Sequence, residues 1–196
     1  MNINVQSVDK SRREIKTASQ RGFPPSLYVL NAASLAKPHA KEQLIVDLHG
    51  YNVDIAIITE THFKNKHTKS ITEIPKYNLV RRDRPKRRGG GVALYISSSL
   101  KFEIINTKDA EYEIIWIAIF SQRDTYIFGA IYHPPKCNYN EADLLLYLEN
   151  CLITLNSKFS NCTVILGGDF NMLSHEKIVE HTAMLCLLYT SPSPRD

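Results

Sequence analysis

The apolar positions of this chain fall mostly into short runs with the two-residue period of β-strands, interrupted by two stretches with helical spacing. Leucines recurring every three or four positions predict helices over residues 41–48 and 141–155. Runs rich in β-branched and aromatic residues predict eight strands, at residues 27–30, 55–59, 77–82, 92–97, 102–106, 114–120, 125–132 and 163–166. Eight strands in one domain indicate a sheet sandwich or a large mixed sheet.

The two ends of the chain lack this patterning. Residues 1–25 show no sustained apolar period and finish at Pro24 and Pro25, which predicts a flexible leader before a folded domain at 26–185. Residues 186–196 resemble one reading frame of a transposase adapter used in sequencing libraries. We interpret them as a sequencing-adapter scar outside the fold, the alternative being a natural flexible tail.

Composition restricts the function only in part. The chain has 196 residues and a net charge of +4, which indicates one domain and does not by itself predict a nucleic-acid partner. Six cations do cluster between Arg81 and Arg88, directly before three glycines. This segment is either a phosphate-binding patch or a solvated loop.

The cysteines and the hydropathy indicate an intracellular protein. The four cysteines have no paired spacing, so neither a zinc ribbon nor a disulfide framework is predicted, and a reducing compartment follows. There is no apolar run of about 18 residues, and residues 1–22 lack a signal-peptide segment. We therefore expect no membrane partner.

The most specific chemical signal is Gly167-Gly168-Asp169-Phe170-Asn171, which follows an apolar strand. Alternation lets Asp169 and Asn171 point the same way, and a carboxylate beside an amide suits binding of Mg²⁺ and of a water or phosphate oxygen. Taken alone, the motif could equally be a strand-end turn.

A second carboxylate, Glu60, ends the buried strand 55–59 in the sequence Thr59-Glu60-Thr61-His62. Such a position can present a metal ligand to a cleft, although a lone glutamate there is more often a surface residue. For His62 we expect a solvated or hydrogen-bonded structural role. Glu113 could hold the residues of the site in place without contacting the substrate, but a solvent-facing position is the simpler interpretation.

Taken together, these motifs resemble the endonuclease/exonuclease/phosphatase family, and more closely the apurinic-type endonuclease domain of non-LTR (LINE-type) retrotransposons. Besides Gly-Asp-Phe-Asn, the resemblance rests on Leu-Tyr-Val-Leu-Asn at 27–31, Ile-Thr-Glu-Thr-His-Phe at 58–63, Arg-Arg-Asp-Arg at 81–84, Arg-Gly-Gly-Gly-Val-Ala-Leu-Tyr at 88–95 and Ile-Tyr-His-Pro-Pro at 131–135. It implies a four-layer αββα sandwich of the DNase I-like type, incomplete at its C-terminus.

The resemblance also implies a site and a reaction. Glu60 would ligate Mg²⁺ or Mn²⁺ with support from Asn31, Asp169 would orient or deprotonate the attacking water, Asn171 would bind the scissile phosphate, and Tyr132 would contact it. The substrate would be DNA, nicked in the nucleus to prime reverse transcription, and the parent polyprotein would continue into a reverse transcriptase. For DNA binding we expect contributions from Arg82, Arg84, Arg87, Arg88 and His133.

The chain departs from the family in one respect. Family members end with a Ser-Asp-His type motif, whereas here the sequence before the adapter-like segment ends at Leu185. His175 and His181 lie in the expected connecting helix and do not replace it. A non-catalytic remnant therefore remains an alternative, as does a phosphoesterase acting on small phosphorylated molecules or lipids. Loss of the last strands would also leave the strand 163–166 as an uncovered edge.

We predict that this chain nicks DNA at least about a hundredfold more slowly than a chain extended to the natural domain end, because a missing catalytic partner costs orders of magnitude in rate. Nicking of supercoiled plasmid in Mg²⁺ or Mn²⁺ by both proteins measures the difference. Equal rates would contradict the prediction.

Overall fold

The strands of this protein form two sheets, and each sheet contains neighbouring parallel strands. The ends of one parallel pair in each sheet determine where the polar residues of the site meet. The computed structural model describes residues 24–85, 89–107, 111–121, 124–182 and 186–190. Its elements are β1 (Leu27–Asn31), α1 (Ala40–Gly50), β2 (Ile55–Thr59), α2 (Lys69–Thr72), β3 (Tyr77–Arg82), β4 (Val92–Ser97), β5 (Phe102–Ile105), β6 (Glu113–Phe120), β7 (Thr125–Tyr132), α3 (Glu141–Lys158), β8 (Cys162–Asp169), α4 (His175–Thr182) and β9 (Cys186–Thr190).

The strands form two sheets. The first has the order β1-β2-β4-β3, with β1 and β2 parallel, and the second has the order β5-β6-β7-β8-β9, with β7, β8 and β9 parallel. All eight predicted strands are present within a few residues of their predicted bounds. The tight runs of isoleucine, valine and aromatic residues account for this agreement, because they suit a pleated and buried surface.

Alternation along the strands sorts the apolar side chains into layers. In β2, Ile55 and Ile57 pack between the two sheets, whereas Ala56 and Ile58 face α1 on the other side. The leucines of α3 pack in the same way on the outer face of the second sheet, around the fully buried Trp116. The result is the predicted four-layer αββα sandwich.

The helix ends follow local chemistry. Asn140 caps α3, its side-chain oxygen accepting a hydrogen bond from the Ala142 amide at 3.0 Å. Gly50 is the last residue of α1, and Tyr51 takes the capping position. Among the described residues, no helix is both long and apolar enough to cross a membrane.

The prediction that β8 would be an uncovered edge is wrong in this structure. Residues 186–190, which we had placed outside the fold, pair with β8 in parallel from Val164 to Gly168. Pro192 and Pro194 lie outside the described residues and beyond the five that pair. A ladder needs only backbone groups and an extended run, which Cys-Leu-Leu-Tyr-Thr supplies. The origin of this segment as an adapter scar stays a prediction.

Strand β8 continues through the two glycines to Asp169, beyond the predicted end at 166. Its parallel ladder with β7 pairs Gly168 with Ile131 and Asp169 with Tyr132. Gly168 has a φ of 145°, and a Cβ there would overlap the Ile131 carbonyl. Only glycine allows the two backbones to approach this closely at the strand ends.

We predict that Gly168→Ala lowers the free energy of unfolding by about 2 to 4 kcal/mol, because it combines a strained backbone with overpacking against β7. The matched control is Gly50→Ala, since no atom lies within 4 Å of a Cβ built there. That variant should stay within about 1 kcal/mol of wild type, on the stabilising side. Urea unfolding of both variants measures the difference, and equal effects would contradict the strain argument.

Candidate active site

Four of the predicted site residues lie at strand ends that face one another across the sandwich. Asn31 ends β1 and Glu60 follows β2 in the first sheet, while Tyr132 ends β7 and Asp169 ends β8 in the second. Both strand pairs are parallel, so each pair delivers its last residues to the same edge of its sheet. The structure thereby brings together residues that are up to 138 positions apart in sequence.

The Asn31 amide joins the two carboxylates. Its Nδ2 donates to Asp169 Oδ2 at 2.6 Å and is 3.3 Å from Glu60 Oε1. Its Oδ1 accepts a hydrogen bond from the Ala33 backbone N–H at 3.0 Å, which orients the amide. Hydrogen bonds to charged acceptors contribute about 1.5 to 3 kcal/mol each, so this amide offsets part of the repulsion between two like charges.

Tyr132 holds Glu60 from the second sheet. Its hydroxyl donates to Glu60 Oε1 at 3.1 Å, and its side chain is buried. Burial, followed by the adjacent Glu60 carboxylate, raises the pKa of Tyr132, so the hydroxyl remains protonated at neutral pH. Tyr132 is therefore a neutral hydrogen-bond donor to the glutamate.

Polar groups of the Gly-Asp-Phe-Asn turn hydrogen-bond to one another and to the backbone of His133. Asp169 Oδ1 accepts from the Asn171 backbone N–H at 3.0 Å, and Asn171 Nδ2 donates to the His133 carbonyl at 2.7 Å. The His133 N–H in turn donates to the Asp169 carbonyl at 2.8 Å. Asp169 is buried, whereas Asn171 is exposed at the mouth of the site, with a φ of 46°.

The segment that carries Glu60 has an unusual backbone. Glu60 and His62 both have positive φ, at 49° and 55°, a conformation that costs non-glycine residues about 1 to 2 kcal/mol each. The N–H groups of Thr61 and His62 donate to the carbonyls of Gly91 and Gly90, which hold the segment in place. Gly91 has a φ of 90°, and a Cβ there would lie 2.6 Å from Thr61 Oγ1.

The donor set fits a hard divalent cation. Glu60 and Asp169 place two carboxylates at one cleft, and Mg²⁺ commonly binds through one or two carboxylates while keeping several waters. The described residues contain no group of three or more His, Cys, Asp or Glu side chains that could hold a metal. Asn31 presents its amide nitrogen to the carboxylates, so ligation through its oxygen would require that amide to rotate.

The arginines predicted for DNA binding have protein partners instead. Arg82 Nη1 donates to the Ile114 carbonyl at 3.2 Å, and the Arg84 guanidinium pairs with Glu113 at 2.5 Å. Both side chains are half-buried against β6 and are not solvated. Arg87 and Arg88 lie outside the described residues.

The histidines also differ from expectation. The His133 ring is only 2% exposed and its Nδ1 lies 3.0 Å from the Tyr139 hydroxyl, so in this structure it packs inside the protein, and the DNA contact stays a prediction. Burial lowers the pKa of His133, which favours the neutral ring.

His62 Nε2 lies 3.6 Å from Glu60 Oε2 at the mouth of the site. As predicted, His175 and His181 lie on α4, where His181 pairs with Glu149.

For Glu113, sequence reasoning considered a supporting position but favoured a solvent-facing one, and the structure contradicts the solvent-facing interpretation. Its carboxylate accepts from Arg84 Nε at 2.6 Å and from the Gly91 N–H at 2.5 Å. It is half-buried, not solvent-facing, and β6 places it opposite Tyr132. The signal was weak, since a glutamate that begins an apolar strand is ordinarily exposed. The three consecutive glycines at 89–91 were the better clue, because glycine is typical of places where the backbone approaches another group closely.

Comparisons with known proteins identify the family of this chain and proteins that share its fold. The Endonuclease/Exonuclease/phosphatase family matches residues 1–185. The chain is similar to the RNA-directed DNA polymerase from mobile element jockey of Drosophila funebris, at 25% identity over 133 residues. That match covers 66% of this chain but only 13% of the relative's length.

Solved structures share the fold. The endonuclease domain of TRAS1, a telomere-specific non-LTR retrotransposon, matches with a TM-score of 0.56 and 16% identity, over 74% of this chain and 60% of that one. The AP endonuclease LMAP from Leishmania major matches with a TM-score of 0.52 and 14% identity, over 75% and 54%. Truncated Caenorhabditis elegans TDP2 matches with a TM-score of 0.56 and 12% identity, over 80% and 66%. At these identities the likeness is one of fold.

We predict that Tyr132→Phe lowers the free energy of unfolding by about 1 to 2 kcal/mol, because Glu60 loses a buried donor. The matched control is Tyr51→Phe, since Tyr51 is 73% exposed; it should change stability by less than about 0.5 kcal/mol. Urea unfolding at neutral pH compares them. A Tyr132→Phe chain as stable as wild type would show that the bond to Glu60 contributes nothing.

Proposed function

Because this chain belongs to the endonuclease/exonuclease/phosphatase family, we propose that it is a metal-dependent DNA endonuclease domain of a retrotransposon polyprotein. It would hydrolyse one phosphodiester of target DNA and so provide the primer for reverse transcription. The observation that carries the proposal is the pair of carboxylates, Glu60 and Asp169, joined by the Asn31 amide at one cleft. Family membership makes the chain a phosphodiester hydrolase domain.

Each residue has a task that its contacts support. Glu60 would hold Mg²⁺ or Mn²⁺ through its Oε2, since Asn31 and Tyr132 bind its Oε1 while Oε2 lies 3.6 Å from His62 Nε2. The ion, when bound, would neutralise negative charge on the phosphate in the transition state. Asp169 would accept the proton of the attacking water, while Asn31 and the Asn171 N–H keep its two oxygens in place.

Asn171 and Tyr132 act on either side of this pair. Asn171 is exposed at the mouth, where its amide could donate to a non-bridging phosphate oxygen. Tyr132 holds the Glu60 carboxylate in place through the hydrogen bond that its hydroxyl donates. As the new bond from water to phosphorus forms, the bond from phosphorus to the deoxyribose oxygen breaks, and that oxygen must take up a proton.

The source of that proton limits the rate. In the part of the chain that the structure describes, no histidine side chain hydrogen-bonds to Asp169, and the His133 ring is turned toward Tyr139. We propose that solvent water protonates the leaving oxygen, which is slower than transfer from a positioned acid by about two to four orders of magnitude. We accordingly propose that this chain is a weak nuclease.

DNA as the substrate is supported by the similarity to a mobile-element polymerase and to a retrotransposon endonuclease domain. The chain spans 13% of the first and 60% of the second. We propose that the parent polyprotein continues into a reverse transcriptase and acts in the nucleus, where the target DNA is.

We predict that Asp169→Asn and Glu60→Gln each lower the nicking rate of supercoiled plasmid in Mg²⁺ or Mn²⁺ by at least about a hundredfold, because one removes the base and the other the metal ligand. Chelation of the metal should stop nicking, and added Mg²⁺ should restore it. The control is Glu103→Gln, an exposed charge on β5, which should keep its rate within about twofold.

Three results would contradict the proposal. A wild-type chain that binds plasmid without nicking it at any metal concentration would be a non-catalytic remnant. Hydrolysis of p-nitrophenyl phosphate without plasmid nicking would indicate small phosphorylated substrates. Nicking that survives both substitutions would place the chemistry elsewhere.

A further inference from the structure

Glu113 connects the two sheets at the edge where the carboxylates meet. It begins β6 in the second sheet, yet both of its donors come from the segment between β3 and β4 in the first. Arg84 donates to Oε1, and the Gly91 N–H donates to Oε2. Both carboxylate oxygens are thus occupied, and neither is directed at a substrate.

One connection leads from Glu113 to the backbone beside Glu60. Gly91, whose N–H donates to Glu113, accepts the N–H of Thr61 through its own carbonyl at 3.3 Å. The preceding carbonyl, of Gly90, shares a peptide group with that Gly91 N–H and accepts the N–H of His62 at 2.9 Å. Since Glu60 and His62 both have positive φ, the segment depends on these external bonds to keep its conformation.

The other connection leads to the hydroxyl that holds Glu60. The Arg84 guanidinium, paired with Glu113, lies over the Tyr132 ring at 5.4 Å from its centroid. Tyr132 is the residue opposite Glu113 across the β6–β7 ladder. A planar guanidinium held by a carboxylate covers the ring and restricts the direction of its hydroxyl.

We propose that Glu113 is a positioning residue of the active site, which fixes the Glu60 carboxylate through Gly91 on one side and through Arg84 and Tyr132 on the other. Arg84 is then part of the internal support of the site and not a contact to the DNA backbone. The inference rests on the proposed function only for the rate effect; the positioning itself is a property of the unliganded chain.

The decisive variant is Glu113→Gln. A glutamate accepts from both donors, whereas a glutamine has one oxygen and one NH₂, so either Arg84 or Gly91 must face a donor. The matched control is Glu111→Gln, which removes the same charge two residues away at an exposed position. It leaves both connections intact.

Two measurements separate positioning from a general loss of stability. Amide hydrogen exchange should speed up at least about tenfold at Gly91 and Thr61 in Glu113→Gln, while Ile57 in the centre of β2 stays as in wild type. In plasmid nicking, kcat should fall about tenfold with KM within about twofold, because Glu113 does not touch the substrate. Glu111→Gln should change neither quantity.

The outcomes distinguish this proposal from the proposed function. If wild type does not nick DNA, the nuclease proposal fails, and the exchange result alone decides whether Glu113 positions the segment. Unchanged exchange at Gly91 and Thr61 in a folded Glu113→Gln chain overturns the positioning role. So does a kcat equal to that of an active wild type.

A second variant covers the case in which Glu113→Gln does not fold. Arg84→Lys keeps the positive charge and the bond from Gly91 to Glu113, but it loses the planar group over Tyr132. We expect wild-type exchange at Gly91 together with a lower kcat or, in an inactive chain, faster rotation of the Tyr132 ring by NMR. Wild-type behaviour in both measurements would overturn the connection through Arg84.

Discussion

The site depends on one hydrogen-bonding group, the Asn31 amide, which donates to carboxylates that belong to different sheets. Two negative charges at the edge of a buried sandwich repel each other more strongly than they would in water, because the surroundings are less polarisable. An amide offers two N–H donors with no charge to desolvate, and here both carboxylates lie within its reach, Asp169 at 2.6 Å and Glu60 at 3.3 Å. The distance between the sheets and the directions of their strand ends must satisfy this contact.

Glycines in the surrounding backbone allow the close approaches on which that geometry depends. Gly168 lets β8 approach β7 closely just before Asp169, and Gly91 lets β4 lie against the segment that carries Glu60. The positive φ angles of Glu60, His62 and Asn171 cluster at the same place. Such strain persists only where several hydrogen bonds over-determine the conformation, and the Gly90, Gly91 and His133 carbonyls supply them.

Local patterns were informative where local physics decides the outcome. Asn140 as a cap, Trp116 in the core and the alternation through β2 follow from side-chain size, polarity and period. Local patterns predicted exposed positions for Arg84, Glu113 and His133, whose side chains are buried or half-buried. Each is a polar residue in a polar or strand-end sequence context, and each is held by a partner at least six positions away. The covered edge of β8 was missed for a similar reason, since backbone pairing requires only an extended neighbour.

By itself, the amino-acid sequence determined strands β1 to β8, helices α1 and α3 and the identity of the chemically capable residues, because periodicity and residue type are local properties. The αββα layering was implied by the family resemblance and not by the pattern. Only the tertiary structure decided which of them share a cleft and how they are oriented. Asn31 turns its nitrogen and not its oxygen toward the carboxylates because Ala33 occupies the oxygen. Arg82 and Arg84 face inward because the Ile114 carbonyl and Glu113 accept their hydrogen bonds. The orientation of a polar side chain depends on the partner it meets, and that partner is fixed by the packing of two sheets rather than by neighbours in sequence.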